Sequence, residues 1–530
     1  MLKPLAVAVG LSLACFTVDA MAQEPLTARV VAARTADGMT VRYTLPEPST
    51  RVVFEDRDIL RDLWTVTTPG LTLAEGAIIA DQPFEAFEIR ILPDAAEVDR
   101  IYMGLSAAGD GRVIYGPGLM LEGRPTTLDF GTAPGEASLP QVGAIGGYAW
   151  TGPAADAATE TRGTVVAGAN VAPELKAALR EIFSASMAFY EARLGAALPF
   201  RPVLIGSVDS PGPAMFRGDV TDTGVISVRF HGEAWRGELP SVTPFVWHEA
   251  FHLWNGHGVE NRDGDDAPWL HEGGADYAAI VGAVSAGAMS QEMGRERIAY
   301  GLNGCRRTLS DKDMDPARLK SGSGPYTCGL LIQWLADLEA RKAGTGDVFT
   351  LWKTLLDAAR VSPTGYGVAE FRALVGPDSA VAVVLDGPGA TRWDSVKTRL
   401  SDLGVTLENR PDDRTLRGAA LFHVAEINCR SGSYGFYDNP GELKLDGADC
   451  GVLSGEPVID TVEGHDPQQA SRAMFDAIQA RCAGNLPVRY VTRDGRTLEA
   501  ACDKPLVEPE VWAIADAPPL AISDETSRPL

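Results

Sequence analysis

The sequence predicts a multidomain α+β protein. Three observations carry that reading. Short β-like runs punctuated by Gly and Pro fill the region up to about residue 140. Apolar residues recur at helical spacing from Pro173 onward. Four cysteines crowd the C-terminal part. The chain has 530 residues; at roughly 150 residues per domain, that length predicts three or four domains. A hydrophobic fraction of 45% and a charged fraction of 22% are ordinary for a soluble globular chain. With 47 Lys+Arg against 71 Asp+Glu the net charge is −24. No basic cluster offsets it, which excludes a phosphate-backbone partner and so nucleic acid.

Taken in order, residues 1–22 read as a signal peptide. Lys3 gives a short positive start, Leu5 to Val18 is apolar, and Ala20-Met21-Ala22 is a small-residue cleavage site. The apolar run is too short to span a bilayer, so the expectation is an exported protein, periplasmic or secreted, without a stable membrane span. Residues 23–140 read as an N-terminal β domain, with strands from Ala28 to Ala33, Met39 to Tyr43, Phe87 to Leu92 and Ile101 to Leu105. Residues 131–163, rich in Gly, Ala, Pro and Thr, read as a connection. Leu175, Leu179, Ile182, Phe183, Met187 and Tyr190 predict a helix over Pro173 to Leu194. Arg201 to Gly206 and Gly224 to Phe230 read as strands, and Thr243 to about Leu374 as mostly helical. A composition change near Gly387–Gly389 closes a segment at 141–380. A C-terminal α/β domain at 390–507 and a Pro-rich tail at 508–530 follow.

Cleavage after Ala22 removes Cys15 and leaves Cys305, Cys328, Cys429, Cys450, Cys482 and Cys502. An even set in an exported chain predicts disulfides. The local pairing is Cys305 with Cys328, then two bridges among the other four. No Cys-x-x-Cys is present, which argues against a thiolate zinc site.

Five of the seven histidines lie between His231 and His271, and the sharpest feature is His248-Glu249-Ala250-Phe251-His252. Thr243 suits an N-cap, Pro244 the first helical position and Gly256 the position after the end. His248 and His252 then stack at i and i+4 on one face. Phe245, Val246, Trp247, Phe251, Leu253 and Trp254 make this helix apolar nearly all round, hence buried. Burying two imidazoles and the Glu249 carboxylate is costly without partners, and a metal ion would offset that cost. A third ligand is expected on a following helix, and Glu272, twenty positions after His252, supplies it. Asp276, one turn on, is placed to accept the second ring N–H of a ligating histidine. Two His and one Glu leave a position open, which marks a catalytic Zn²⁺ site rather than a structural one. In Asp263-Gly264-Asp265-Asp266 the glycine is misplaced for a calcium loop, so a solvated turn is expected there.

These residues resemble the gluzincin metallopeptidases, most closely the glycyl aminopeptidase family and more distantly aminopeptidase N and leukotriene hydrolase. The resemblance rests on His-Glu-Ala-Phe-His-Leu-Trp-Asn at 248–255, Trp-Leu-His-Glu-Gly at 269–273 and Pro-Tyr-Thr-Cys-Gly at 325–329. It implies a thermolysin-like catalytic domain, and a Tyr326 hydroxyl that stabilises the tetrahedral intermediate. It also implies a C-terminal PDZ-like domain, for which Ser433-Tyr434-Gly435-Phe436 resembles a carboxylate-gripping loop. One departure stands out. Aminopeptidases of this kind hold the substrate amine with a glutamate upstream of the zinc helix, yet no Glu lies between Glu191 and Glu233. Asp219, Asp222 or Glu233 would have to substitute, so exopeptidase specificity does not carry over. The expected function is an exported zinc metallopeptidase acting on a peptide or protein, with Glu249 as general base. The alternative is a catalytically idle peptide-binding or assembly protein that retains the zinc site.

Overall fold

The structure is a computed structural model that describes residues 27–94, 103–140, 146–195, 198–209, 216–232, 235–430, 434–439 and 441–522. The expected signal peptide lies outside them. The chain forms two compact units. One is Met1–Arg180 with Phe200–Glu238; the other is Glu181–Pro199 with Leu239–Leu530.

The first unit is built of sheets. β1 (Ala28–Arg34), β2 (Met39–Val53), β3 (Trp64–Val66), β4 (Thr72–Ala74), β5 (Ala77–Ile91) and β8 (Thr126–Phe130) make one, ordered β3-β5-β2-β1-β8 with β4 on β5. Alternation sets its faces: Ala28, Val30 and Ala32 are buried while Arg29 is exposed, the period of a half-buried strand. Tyr43 and Phe87, on paired strands, stack at 4.3 Å in this core. β6 (Leu105–Ala108), β7 (Gly111–Tyr115), β9 (Glu136–Leu139) and β10 (Tyr148–Pro153) form a second sheet, ordered β6-β7-β10-β9. The third is β11 (Ala157–Glu160), β12 (Gly163–Ala167), β13 (Val203–Asp209), β14 (Phe216–Thr221) and β15 (Val225–His231), ordered β11-β12-β13-β15-β14. β12, β13 and β15 are parallel, and β14 returns antiparallel at the edge. Residues 131–163 are therefore not a connection. Tyr148, Ala149, Trp150 and Thr151 are all buried, and a strand buried on both faces shows no alternation to read. α1 (Pro173–Leu194) matches the expected helix end to end.

The second unit is helical, then mixed. α2 (Trp235–Asn255) carries the His-Glu-x-x-His stretch. It ends where expected, with Gly256 N–H on the His252 carbonyl at 2.9 Å. It begins at Trp235 rather than at Thr243: Thr243 is no cap, because its hydroxyl donates back to the Leu239 carbonyl at 3.3 Å, and Pro240 and Pro244 lie inside the helix. α3 (Pro268–Ser285), α4 (Gln291–Leu309), α5 (Gly324–Ala343), α6 (Val348–Arg360), α7 (Val368–Val375), α8 (Ala380–Asp386) and α9 (Gly389–Asp402) follow. β16 (Thr406–Asn409) and α10 (Asp413–Asn428) lead into a meander of β17 (Tyr434–Asn439), β18 (Glu442–Gly447), β19 (Val458–Val462), β20 (Val488–Thr492) and β21 (Thr497–Ala500), with α11 (Ser471–Ala483) between β19 and β20. Disulfides join Cys305–Cys328, Cys429–Cys450 and Cys482–Cys502, the first as expected and the others within the C-terminal four. The described part of the expected tail is a strap. β22 (Trp512–Asp516) pairs with β16, Trp512 exchanges backbone hydrogen bonds with the Asn303 side chain at 2.8 and 2.9 Å, and Leu520 is buried beside Gly294. No helix among the described residues is long and apolar enough to cross a membrane.

Candidate metal centre

α2 separates two chemistries by its period. Trp247, Phe251 and Trp254 fall on one stripe and meet the ring of Tyr190 at 5.5, 5.3 and 5.8 Å. Phe251 also packs on Trp352 at 5.4 Å. His248, His252 and Asn255 fall on the neighbouring stripe. The aromatic cluster fixes the helix, so the polar stripe has a set direction.

α3 brings the carboxylates. Glycines let it approach closely: a Cβ at Gly273 would overlap the backbone of Gly329 on α5, and one at Gly274 would overlap the Trp352 ring. This contact seats Glu272, beside Gly273, against α2. It also brings the start of α5, and with it Tyr326, to the same place.

The three expected ligands converge. One donor atom each from His248, His252 and Glu272 lies within 4.8 Å of the others. The two Nε2 atoms are 2.9 Å apart. Glu272 Oε2 lies 3.2 Å from His248 Nε2 and 3.4 Å from His252 Nε2. Both imidazoles are buried. Their far sides fix their tautomers. His248 Nδ1–H donates to Asp276 Oδ1 at 2.8 Å, the partner expected from the sequence. His252 Nδ1–H donates to Asn255 Oδ1 at 3.0 Å, an amide oriented by its own Nδ2–H on the His271 carbonyl at 3.0 Å. Each Nε2 is therefore left with a lone pair aimed at the other and at a carboxylate oxygen. Lone pairs facing one point repel unless a positive charge lies among them. The donor set, two imidazoles and one carboxylate, suits Zn²⁺ and other divalent ions.

The electrostatics show a site that favours positive charge. Burial disfavours ionised Glu272, yet positive charge placed between it and the two imidazoles, whether protons on Nε2 or a cation in their stead, would hold its carboxyl far below the usual range, with His271 adding to the effect. Burial likewise disfavours charged His248, but Asp276, Glu272 and Glu249 outweigh it and raise its basicity. Glu249 is 8% exposed and contributes no atom to the ligand cluster. Tyr326, in the first turn of α5, is 44% exposed, with its ring 6.2 Å from that of His248.

Three contributors have roles that the sequence does not assign. Asn255 orients His252, and its i+3 spacing within the quoted motif was a usable signal. His271 Nε2 lies 3.3 Å from Glu272 Oε1. Tyr366, buried, donates its hydroxyl to the Asn255 carbonyl from far along the chain, where no local pattern marks it. Among the described residues the other cluster with metal-binding geometry is His423, Cys482 and Cys502, whose sulfurs are joined to each other. The acidic turn at 263–266 is spent on ordinary partners: Asp263 accepts Val368 N–H at 2.8 Å and Asp266 pairs with Lys320 at 2.7 Å.

No protein-family model matches the chain, and no curated protein matches it. Solved structures do. An aminopeptidase N family protein from Idiomarina loihiensis superposes with a TM-score of 0.60 at 13% identity, covering 92% of this chain and 98% of that one. An M1 zinc metallopeptidase from Deinococcus radiodurans, as a mutant, matches at a TM-score of 0.36 and 14% identity, over 70% of this chain and 92% of that one. The same mutant bound to a Tyr-Ser-Ala substrate gives 0.35 and 15%, over 70% and 94%. The first likeness covers nearly all of both chains, and at 13% identity it shows a shared fold.

Proposed function

We propose that this protein is a zinc-dependent peptidase of the gluzincin kind, with His248, His252 and Glu272 as the metal ligands. The observation that carries the reading is the convergence of three lone pairs from α2 and α3 with their outer sides already committed to Asp276 and Asn255. When bound, Zn²⁺ would supply Lewis acidity at the position its three protein ligands leave open. Glu249 is the general base: it takes the proton of the attacking water and returns it to the leaving amine. Its burial beside His248 keeps that carboxylate in a low-dielectric setting where proton transfer is strongly coupled to nearby charge. Tyr326 reaches the site from α5 and donates its hydroxyl to the developing oxyanion. The fold shared with an aminopeptidase N family protein supports the assignment. We place the protein in an exported compartment, on residues 1–22 and on three disulfides, which persist where the milieu is oxidising. The C-terminal meander is the module proposed to be PDZ-like.

The test is a panel of free peptides and unfolded proteins incubated with and without a chelator, with the new termini of the products sequenced. Chelator-sensitive cleavage supports the peptidase, and the termini separate removal of single residues from internal cuts. Intact substrates throughout, with stoichiometric zinc present, would leave the idle binding protein as the correct reading.

A further inference from the structure

His271 lies beside the ligand set but has no part in it. Its ring Nε2 is 3.3 Å from Glu272 Oε1, the oxygen that does not face the two ligating imidazoles. On the other side, Asn261 Nδ2 lies 3.0 Å from His271 Nδ1. Asn261 is itself anchored. It bridges to Tyr366, next to hydrogen bonds from Arg262 N–H to the Tyr366 carbonyl at 2.9 Å and from Tyr366 N–H to the Glu260 carbonyl at 3.1 Å. The His271 carbonyl is held as well, by Asn255.

These contacts decide the tautomer. With the Asn261 amide donating, Nδ1 carries the lone pair and Nε2 carries the hydrogen, aimed at the carboxylate. The flipped arrangement would put an Nε2 lone pair against a carboxylate oxygen. Asn261 Oδ1 is buried and accepts no hydrogen bond among the described residues, so the flip would only exchange which amide atom lacks a partner. The arrangement with Nε2–H on Glu272 is favoured by the charge it faces.

We infer that His271 is a positioning residue that holds Glu272 in one-oxygen coordination, by occupying Oε1 and leaving Oε2 as the metal ligand. This rests on the metal-centre reading above. Without the Nε2–H donor, Oε1 is free to swing onto the metal and complete a two-oxygen contact. That would raise the coordination number, crowd the position on which hydrolysis depends, and cost the preorganised geometry of the ligand.

The experiment measures metal, not turnover. Zinc affinity is titrated by competition with a chromophoric chelator for the wild-type full chain and for His271→Ala, His271→Phe and His271→Gln, and Co²⁺-loaded samples are compared by visible absorption. Circular dichroism confirms folding of each. We expect Ala and Phe to weaken zinc binding roughly 10- to 100-fold, the usual cost of losing an outer partner of a ligand. We expect Gln, whose amide N–H reaches the same place, to restore it to within about threefold. The Co²⁺ band should be weaker in Ala and Phe, as coordination rises above four, and recover in Gln. Phe fills the space without donating, so a packing role would make it resemble the wild type. Wild-type affinity and spectrum in all three variants, or in Phe, would overturn the inference while leaving the metal centre intact. A wild-type chain that binds no zinc would overturn both.

Discussion

Replacing Gly329 by Ala tests how the centre is assembled. Gly329 lies within α5, where Ala is intrinsically better than Gly by about 0.8–1.0 kcal/mol. On propensity alone the substitution stabilises. The packing predicts the opposite sign. A Cβ at Gly329 would overlap the Trp269 carbonyl and the Gly273 backbone. Neither is a side-chain end that can swing away, so α3 and α5 must separate. Overpacking of a tight contact costs about 1–3 kcal/mol, and an obstacle made of backbone on both helices puts this case at the upper end. The net effect is a loss of about 1–2 kcal/mol, against the gain of about 1 kcal/mol that propensity gives. At about 2–4 °C per kcal/mol in domains of 150–250 residues, the thermal midpoint should fall by several degrees. Function should fall further. Glu272 adjoins Gly273, and Tyr326 is one turn before Gly329. A shift of about 1 Å in such groups costs on the order of 10²-fold in rate. The assay is a thermal melt with and without zinc, alongside turnover of a cleaved peptide. A variant that melts higher than the parent and keeps its turnover would refute the close-contact account.

Glu249→Gln should retain stoichiometric zinc and lose roughly 10²- to 10⁴-fold in turnover, the range for a general base; elemental analysis and single-turnover rates check the two halves. His252→Ala should bring zinc below stoichiometry by the same elemental analysis, because it removes one of three converging donors. Asp276→Ala should weaken zinc binding roughly 10- to 100-fold, with Asp276→Asn losing less since it keeps an acceptor oxygen for His248 Nδ1–H; chelator competition measures both. Trp512→Ala removes a ring that is 4% exposed, beneath Arg306 at 3.9 Å, and should cost about 3–5 kcal/mol, read from the denaturant midpoint.

The legible parts of the fold were those with a period. α1 is found end to end because its apolar positions repeat over 22 residues, and β1 because alternate residues are buried. β10 leaves no signal because both of its faces are covered, which gives a short run of mixed small and aromatic residues with no rhythm. The start of α2 was misplaced for a different reason. Thr243-Pro244 is a helix-start signal in isolation, but with the Thr243 hydroxyl turned back on the Leu239 carbonyl and Pro244 one turn after Pro240, the helix simply continues through both. β22 falls in the stretch that reads as tail because its partner, β16, lies about a hundred residues earlier, and Pro-rich composition says nothing of such pairing.

The centre itself was legible because helix geometry fixes it locally: i and i+4 place two imidazoles, and one further helix brings Glu272 and Asp276 together. What surrounds it depends on contacts no local pattern encodes, such as Tyr366 on the Asn255 carbonyl. The distinction between an enzyme and an idle metal site turns on Glu249. Glu249 is 8% exposed and supplies no atom to the ligand cluster; the proposed reaction gives it a place beside that cluster as base. A tyrosine held near His248 with nearly half its surface open to solvent is likewise no asset to a closed structural site. In the proposed reaction both groups have a use, Glu249 where water is deprotonated beside the metal and Tyr326 where the oxyanion is met.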